Sequence, residues 1–216
     1  MQSHDLSFQF KGRYYTLGEL TSSTKSIWFV LHGYGQLAAY FMKKFNTLKD
    51  NDIFVIAPEA LSRFYVDPLQ STGRTSDRVG ATWMTKENRL ADIENYLTYL
   101  DGLYHHLRLP ASIPVTILGF SQGAATVSRW IAEGQITFDR VILWAGIFPP
   151  DLNLESAKER LKEKQVVFVH GTSDPFLNDN QYQSMEAISA KLGLHPRVIT
   201  FDGGHEIDED TLNELI

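Results

Sequence analysis

The stretch Val115-Thr116-Ile117-Leu118-Gly119-Phe120-Ser121-Gln122-Gly123-Ala124-Ala125 constrains this chain more than any other. An apolar, β-branched run ends in Gly-x-Ser-x-Gly and passes into small residues that suit a helix start. The pattern calls for a strand, a sharp turn centred on Ser121, and a helix. Backbone at such a turn is strained, and side chains two residues either side would collide; Gly119 and Gly123 remove them. A helix opening after Ser121 aims free N–H groups and the positive end of its dipole at the space beside the hydroxyl. A developing oxyanion would be held there. A short motif also arises by chance, so its meaning rests on what accompanies it.

What accompanies it is an alternation of strand-like and helix-like stretches from residue 26 onward. Residues 26–31 (Ser-Ile-Trp-Phe-Val-Leu) are apolar in succession rather than alternately, as in a strand covered on both faces. Residues 38–49 read as a helix, 53–57 as a strand stopped by Pro58, and 88–106 as a helix with Leu90, Ile93, Leu97, Leu100 and Tyr104 on one face. After the serine strand and its helix come strands at 141–144, 166–169 and 198–201. Helices fall at 154–164, at 179–192 and from about residue 208. This order predicts an α/β architecture: a doubly wound, mostly parallel sheet with right-handed crossovers. Residues 5–10 and 13–20, around Lys11-Gly12, read as an N-terminal antiparallel hairpin at its edge. The 216 residues fit one domain, 1–216, and no linker or repeat interrupts them. Residues 59–87 lack a clean period and form a long loop or lid-like insertion, a length that within a compact domain usually serves function.

Composition removes several classes of function. Hydrophobic residues make up 43% and charged residues 21%, an ordinary globular balance. A net charge of −6 without a basic stripe argues against nucleic acid. The absence of cysteine excludes disulfides, thiolate metal sites and cysteine nucleophiles, and fits a reducing, cytoplasmic location. Residues 1–10 lack the pattern of a signal peptide. The longest apolar run, residues 141–148, is far shorter than a membrane span.

A serine hydroxyl needs a base, and the base an orienting carboxylate. Downstream of Ser121 lie His170, His195 and His205. His170 closes a strand and reads as structural. His195 precedes a strand. His205 follows one through Asp202-Gly203-Gly204, at the carboxyl edge where such sheets bind ligands, and is favoured. Among acids, Asp174 lies in Gly171-Thr172-Ser173-Asp174-Pro175, directly after a strand; Asp179 suits a helix cap, and Asp202 is too near His205 in sequence to orient it. The oxyanion donors are expected to be the N–H of Gln122 and, from the turn His32-Gly33-Tyr34-Gly35, the N–H of Tyr34. Metal catalysis has little support, since the adjacent His105 and His106 would point about 100° apart on a helix.

Together, Leu31-His32-Gly33-Tyr34-Gly35, Gly119-Phe120-Ser121-Gln122-Gly123, Gly171-Thr172-Ser173-Asp174-Pro175 and Gly204-His205-Glu206-Ile207 resemble the phospholipase/carboxylesterase family, which includes bacterial carboxylesterases and acyl-protein thioesterases. The likeness spans essentially the whole chain. It implies an α/β-hydrolase fold and a serine carboxylesterase, acting without cofactor or metal. Ser121 would be the nucleophile, His205 the base, Asp174 its orienter, and the Tyr34 and Gln122 N–H groups the oxyanion hole. Gln36 stands where the family often has Asp, Trp83-Met84-Thr85 departs from its usual loop, and residues 59–82 differ from commoner members; these changes bear on substrate choice.

Phe64, Tyr65, Trp83, Met84, Phe148 and Phe176, all on loops after strands, are the candidate substrate pocket, though each is also ordinary core material. Such a pocket suits apolar acyl groups, and the acidic net charge favours a small to medium neutral ester. The alternatives are thioesterase or lysophospholipase activity on the same triad, amide hydrolysis, or a non-catalytic ligand-binding protein of the same fold. Apolar residues in 59–87 suit a lid or a homodimer surface.

Overall fold

The computed structural model describes residues 1–67 and 78–216. Seven strands form the main sheet: β1 (Tyr14–Leu17), β2 (Ser26–Leu31), β3 (Ile53–Pro58), β6 (Val115–Phe120), β7 (Arg140–Trp144), β8 (Gln165–Gly171) and β9 (Arg197–Phe201), in the order β1-β3-β2-β6-β7-β8-β9. All pairings are parallel except β1 with β3. The antiparallel element at the N-terminus is therefore present, but its partner is β3: Tyr14 lies opposite Pro58 and Leu17 opposite Val55. Residues 5–10 carry no strand, and Leu6, Phe8 and Phe10 are exposed.

Successive apolar residues in each central strand feed two cores. Ile27, Phe29 and Leu31 of β2 face one side with Val115, Ile117, Val141, Leu143, Val166 and Phe168. Trp28 and Val30 face the other with Leu118, Phe120, Ile142, Trp144, Val167 and Val169. The first face is covered by α3 (Arg89–Leu107), α4 (Gln122–Glu133), α5 (Leu154–Leu161) and α6 (Asp179–Leu192) through Leu100, Trp130, Leu161 and Met185. The second is covered by α1 (Ala38–Phe41), a 3-10 turn (Met42–Phe45), α2 (Asn46–Lys49) and α7 (Glu209–Asn213), through Phe41, Phe45, Leu48 and Leu212. The single helix expected over 38–49 is thus three short pieces. On α3, Tyr96, Leu100 and Leu103 are buried and Ile93, Leu97 and Tyr104 pack partly buried against the same core, while Leu90 is exposed.

Within 59–87, β4 (Ser62–Tyr65) and β5 (Val79–Thr82) pair as an antiparallel ribbon, and residues 68–77 lie outside the described residues. Among the described residues, no helix is long and apolar enough to cross a membrane. The chain runs from β2 to β3 on one side and later to β6 on the other. The carboxyl ends of β2 and β6 therefore form the crevice where an open α/β sheet receives its ligand.

Candidate active site

Ser121 sits at that crevice, one residue beyond β6, with φ 55° and ψ −117°. The conformation is strained for a residue with a Cβ. Its N–H donates to the Trp144 carbonyl at 2.8 Å, and α4 begins at the next residue. The flanking glycines are required for close approach. A Cβ on Gly119 would lie 2.3 Å from the Gly123 carbonyl oxygen, and one on Gly123 would lie 2.3 Å from that of Leu31.

Two further loops meet at the same edge. Asp174, after β8, has a fully buried carboxylate; Oδ1 accepts the Phe176 N–H at 2.9 Å and Oδ2 lies 2.8 Å from His205 Nδ1. A carboxylate only accepts, so His205 carries its proton on Nδ1 and leaves Nε2 as the basic nitrogen. The imidazole lies between Phe120 and Phe176, at ring-centroid distances of 4.9 and 4.6 Å. Backbone bonds sew the two loops together: Thr172 N–H to Phe201 O and Ser173 N–H to Gly203 O, both 2.9 Å. Among the described residues, Ser121 Oγ makes no hydrogen bond to His205. Such contacts commonly tighten only when substrate is bound. The other candidates stand apart. His170 is buried against the Tyr182 hydroxyl at 2.7 Å, and His195 is exposed before β9. The cap of α6 is Asn178, in a capping box with Gln181, rather than Asp179, which is its first helical residue. Asp202 is exposed.

The turn after β2 supplies the facing wall. Gly33 approaches so closely that a Cβ there would lie 3.2 Å from that of Ser121. Its N–H donates to Gln36 Oε1 at 2.8 Å, so Gln36, standing where an Asp was the commoner choice, closes the turn. The N–H groups of Tyr34 and Gln122 make no hydrogen bond among the described residues. His32 anchors the turn from beneath. Its Nδ1–H donates to the Gly33 carbonyl at 2.8 Å, its Nε2 accepts the Ala60 N–H at 3.1 Å, and its carbonyl accepts the Trp83 indole N–H at 2.8 Å. Burial dominates its titration and pushes the imidazole down to about 4, outweighing the Gly33 carbonyl and Glu59, which favour the cation.

The folded His32 therefore binds a proton later, on acidification, than the unfolded one. Stability is complete above the unfolded value of about 6.5 and is lost as pH falls toward 4, by about 3 kcal/mol in all. Urea unfolding between pH 7 and 4 should show this loss in the wild type and a smaller one in His32→Gln; equal losses would remove His32 as the cause.

The Gln122 side chain was not singled out by the sequence, yet it ties Ser121's helix to β5. Its Oε1 accepts the Trp83 N–H at 3.0 Å, and its Nε2 donates to Met84 O at 2.9 Å and Thr82 Oγ1 at 3.0 Å. The same segment bonds the other wall: Gly35 N–H to Ala81 O at 2.9 Å and Ala81 N–H to Gln36 O at 3.1 Å. One short segment, residues 81–84, thus holds both turns in register. Gln122→Ala keeps the backbone N–H but removes the clasp. We expect kcat to fall about 10²-fold, with a modest loss of thermal stability. An unchanged kcat would show the clasp to be dispensable.

The expected pocket residues separate. Phe148 is fully buried, edge-on to Phe168, and Trp83 is buried beneath His32 at 5.2 Å; both belong to the core and offer no surface to a ligand. Loop position in the sequence did not distinguish them from rim residues. Met84 is half-buried and touches Arg129, Phe64 stacks on Tyr34 at 5.3 Å, Tyr65 is exposed, and Phe176 reaches over His205. Among the described residues, no cluster of three or more His, Asp or Glu could hold a metal ion.

This fold, with a serine in a strained elbow at the switch point of the sheet, is that of the α/β-hydrolases. The chain belongs to the serine hydrolase (FSH1) family, whose model matches residues 22–211. A search of curated proteins returned no match. Similar solved structures include acyl-protein thioesterase 2 of Zea mays (18% identity, TM-score 0.71, covering 95% of this chain and 96% of that one). Others are esterase PE8 (21%, TM-score 0.68, 95% and 96%) and a phospholipase/carboxylesterase from Dyadobacter fermentans DSM 18053 (18%, TM-score 0.67, 97% and 96%). At these identities the likeness is one of fold; the family match makes the chain a serine hydrolase.

Proposed function

We propose that this protein is a carboxylesterase that hydrolyses small to medium acyl esters through an acyl-enzyme on Ser121. The observation that carries the reading is the buried Asp174 carboxylate 2.8 Å from His205 Nδ1, at the sheet edge where Ser121 stands. In this reading Ser121 Oγ attacks the ester carbonyl as His205 Nε2 takes its proton. The N–H groups of Tyr34 and Gln122 hold the negative carbonyl oxygen of the tetrahedral intermediate. Its collapse breaks the bond to the alcohol, which leaves with the proton from His205. Water, deprotonated by the same nitrogen, then releases the acid and restores Ser121. The structural likeness to a thioesterase of Zea mays favours including acyl thioesters on the same triad.

A fluorophosphonate, followed by intact mass, tests the reading. One covalent adduct on the wild type and none on Ser121→Ala is the expected result. No adduct on the wild type would move a non-catalytic binding role to the front.

A further inference from the structure

We propose that a cavity beside the Gly35 turn receives a carboxylate-bearing arm of the ester, so that monoanionic esters are the preferred substrates. The proposal rests on the serine-esterase reading above and specifies its substrate.

The cavity has a volume of about 620 Å³, within the range of small-molecule sites. It opens between α1, with the 3-10 turn that follows it, and the β4–β5 ribbon. Leu37, Phe41, Val66 and Val79 supply apolar wall. It approaches the reaction centre through the Gly35 turn, and the buried Phe120 ring stands between its Phe41 wall and His205. Gly35, in its lining, directly follows Tyr34. The Phe41 ring lies 5.8 Å from Phe120, and that ring lies 4.9 Å from His205. None of the six aromatic or sulfur-bearing residues singled out from the sequence lines it.

The described part of its lining is opposite in charge to the whole protein. The chain carries a net −6, yet among the described residues the charged side chains in the lining are Lys44 and Arg78, both cationic. A local field of this kind, rather than net charge, decides what a cleft attracts. Arg78 is shared with Asp67 at 3.9 Å, whereas Lys44 forms no ion pair among the described residues. One lysine without an ion pair among the described residues, lining a cavity whose wall is partly apolar, matches one negative charge at the end of an apolar arm. A carboxylate meets that description; a phosphate monoester carries roughly −1.5 to −2.

The test compares kcat/KM for p-nitrophenyl hexanoate with that for the p-nitrophenyl hemiester of adipic acid, which places a carboxylate at the end of the acyl arm. A second pair, the hexanoate esters of 4-hydroxybenzoate and of its methyl ester, places the carboxylate on the alcohol arm. Both pairs are run on the wild type, Lys44→Gln, Lys44→Glu and Lys43→Gln, whose ammonium lies over the Tyr40 ring and outside the cavity. We expect the wild type to favour the anionic member of one pair by about fivefold at low salt. The preference should shrink in 1 M salt, vanish in Lys44→Gln, reverse in Lys44→Glu and persist in Lys43→Gln. A wild-type ratio at or below one in both pairs, or equal shifts in Lys43→Gln and Lys44→Gln, overturns the proposal. If the neutral ester is turned over and Ser121 takes the fluorophosphonate, that failure touches substrate preference alone. If neither happens, the esterase reading has failed and this one falls with it.

Discussion

Replacing Ser121 with glycine is expected to lower ester hydrolysis by about 10⁶-fold while making the protein more stable. The loss follows from the proposed role of Ser121 as the nucleophile of a unit whose members act together. The gain follows from the backbone: Ser121 holds φ 55° and ψ −117°, a region that glycine enters without steric penalty. Relief of that strain, less the extra flexibility glycine adds to the unfolded chain, is about 1 kcal/mol. In a protein of this size it corresponds to a rise of about 2–4 °C in Tm. Thermal unfolding beside a p-nitrophenyl ester assay reads both at once. A variant that kept activity within tenfold of wild type would place the nucleophile elsewhere. A variant that lost stability would show that the hydroxyl supports the fold.

The second large effect is expected from Asp174→Asn, with kcat falling about 10⁴-fold at neutral pH. The change is nearly isosteric in a buried position, and the asparagine oxygen can still accept the Phe176 N–H that Oδ1 accepts at 2.9 Å. What is lost is the second acceptor. An amide NH₂ facing His205 Nδ1 favours the tautomer with the proton on Nε2, and that nitrogen then cannot take the proton of Ser121. Stability should change little while turnover collapses. That combination distinguishes an orienting acid from a merely structural one; a fall below tenfold would leave Asp174 without the role.

Much of the architecture was legible locally. Unbroken apolar runs in residues 26–31, 53–57, 115–120 and 141–144 announced strands buried on both faces, and the two cores show why: neighbours such as Phe29 and Val30 serve opposite sides of the sheet. The glycines around Ser121 announced the elbow because backbone sterics at two residues' distance are a local matter. Asp174 and His205 could be paired because each follows its own strand, and parallel strands deliver their carboxyl ends to one edge.

Other features depended on contacts that no local pattern encodes. The N-terminal strand has β3 as its partner because Tyr14–Leu17 adds to the open edge of β3, whereas residues 5–10 are exposed and unpaired. Phe148 and Phe176 both follow strands, yet one is sealed against Phe168 and the other lies over His205. Gln36 reads as a departure and Gln122 as an oxyanion donor through its N–H, but each side-chain amide finds backbone groups that only the folded chain brings near. Lys44 looks like a solvated charge until the β4–β5 ribbon faces it across a cavity. Strand positions, their burial and the residues that stand at their carboxyl ends are readable from sequence alone, because backbone geometry and apolar periodicity act over a few residues. Which side chains brace the serine turn, and which charges line the neighbouring cavity, follow only from the three-dimensional arrangement, because hydrogen bonds and electric fields depend on groups dozens of residues apart in the chain.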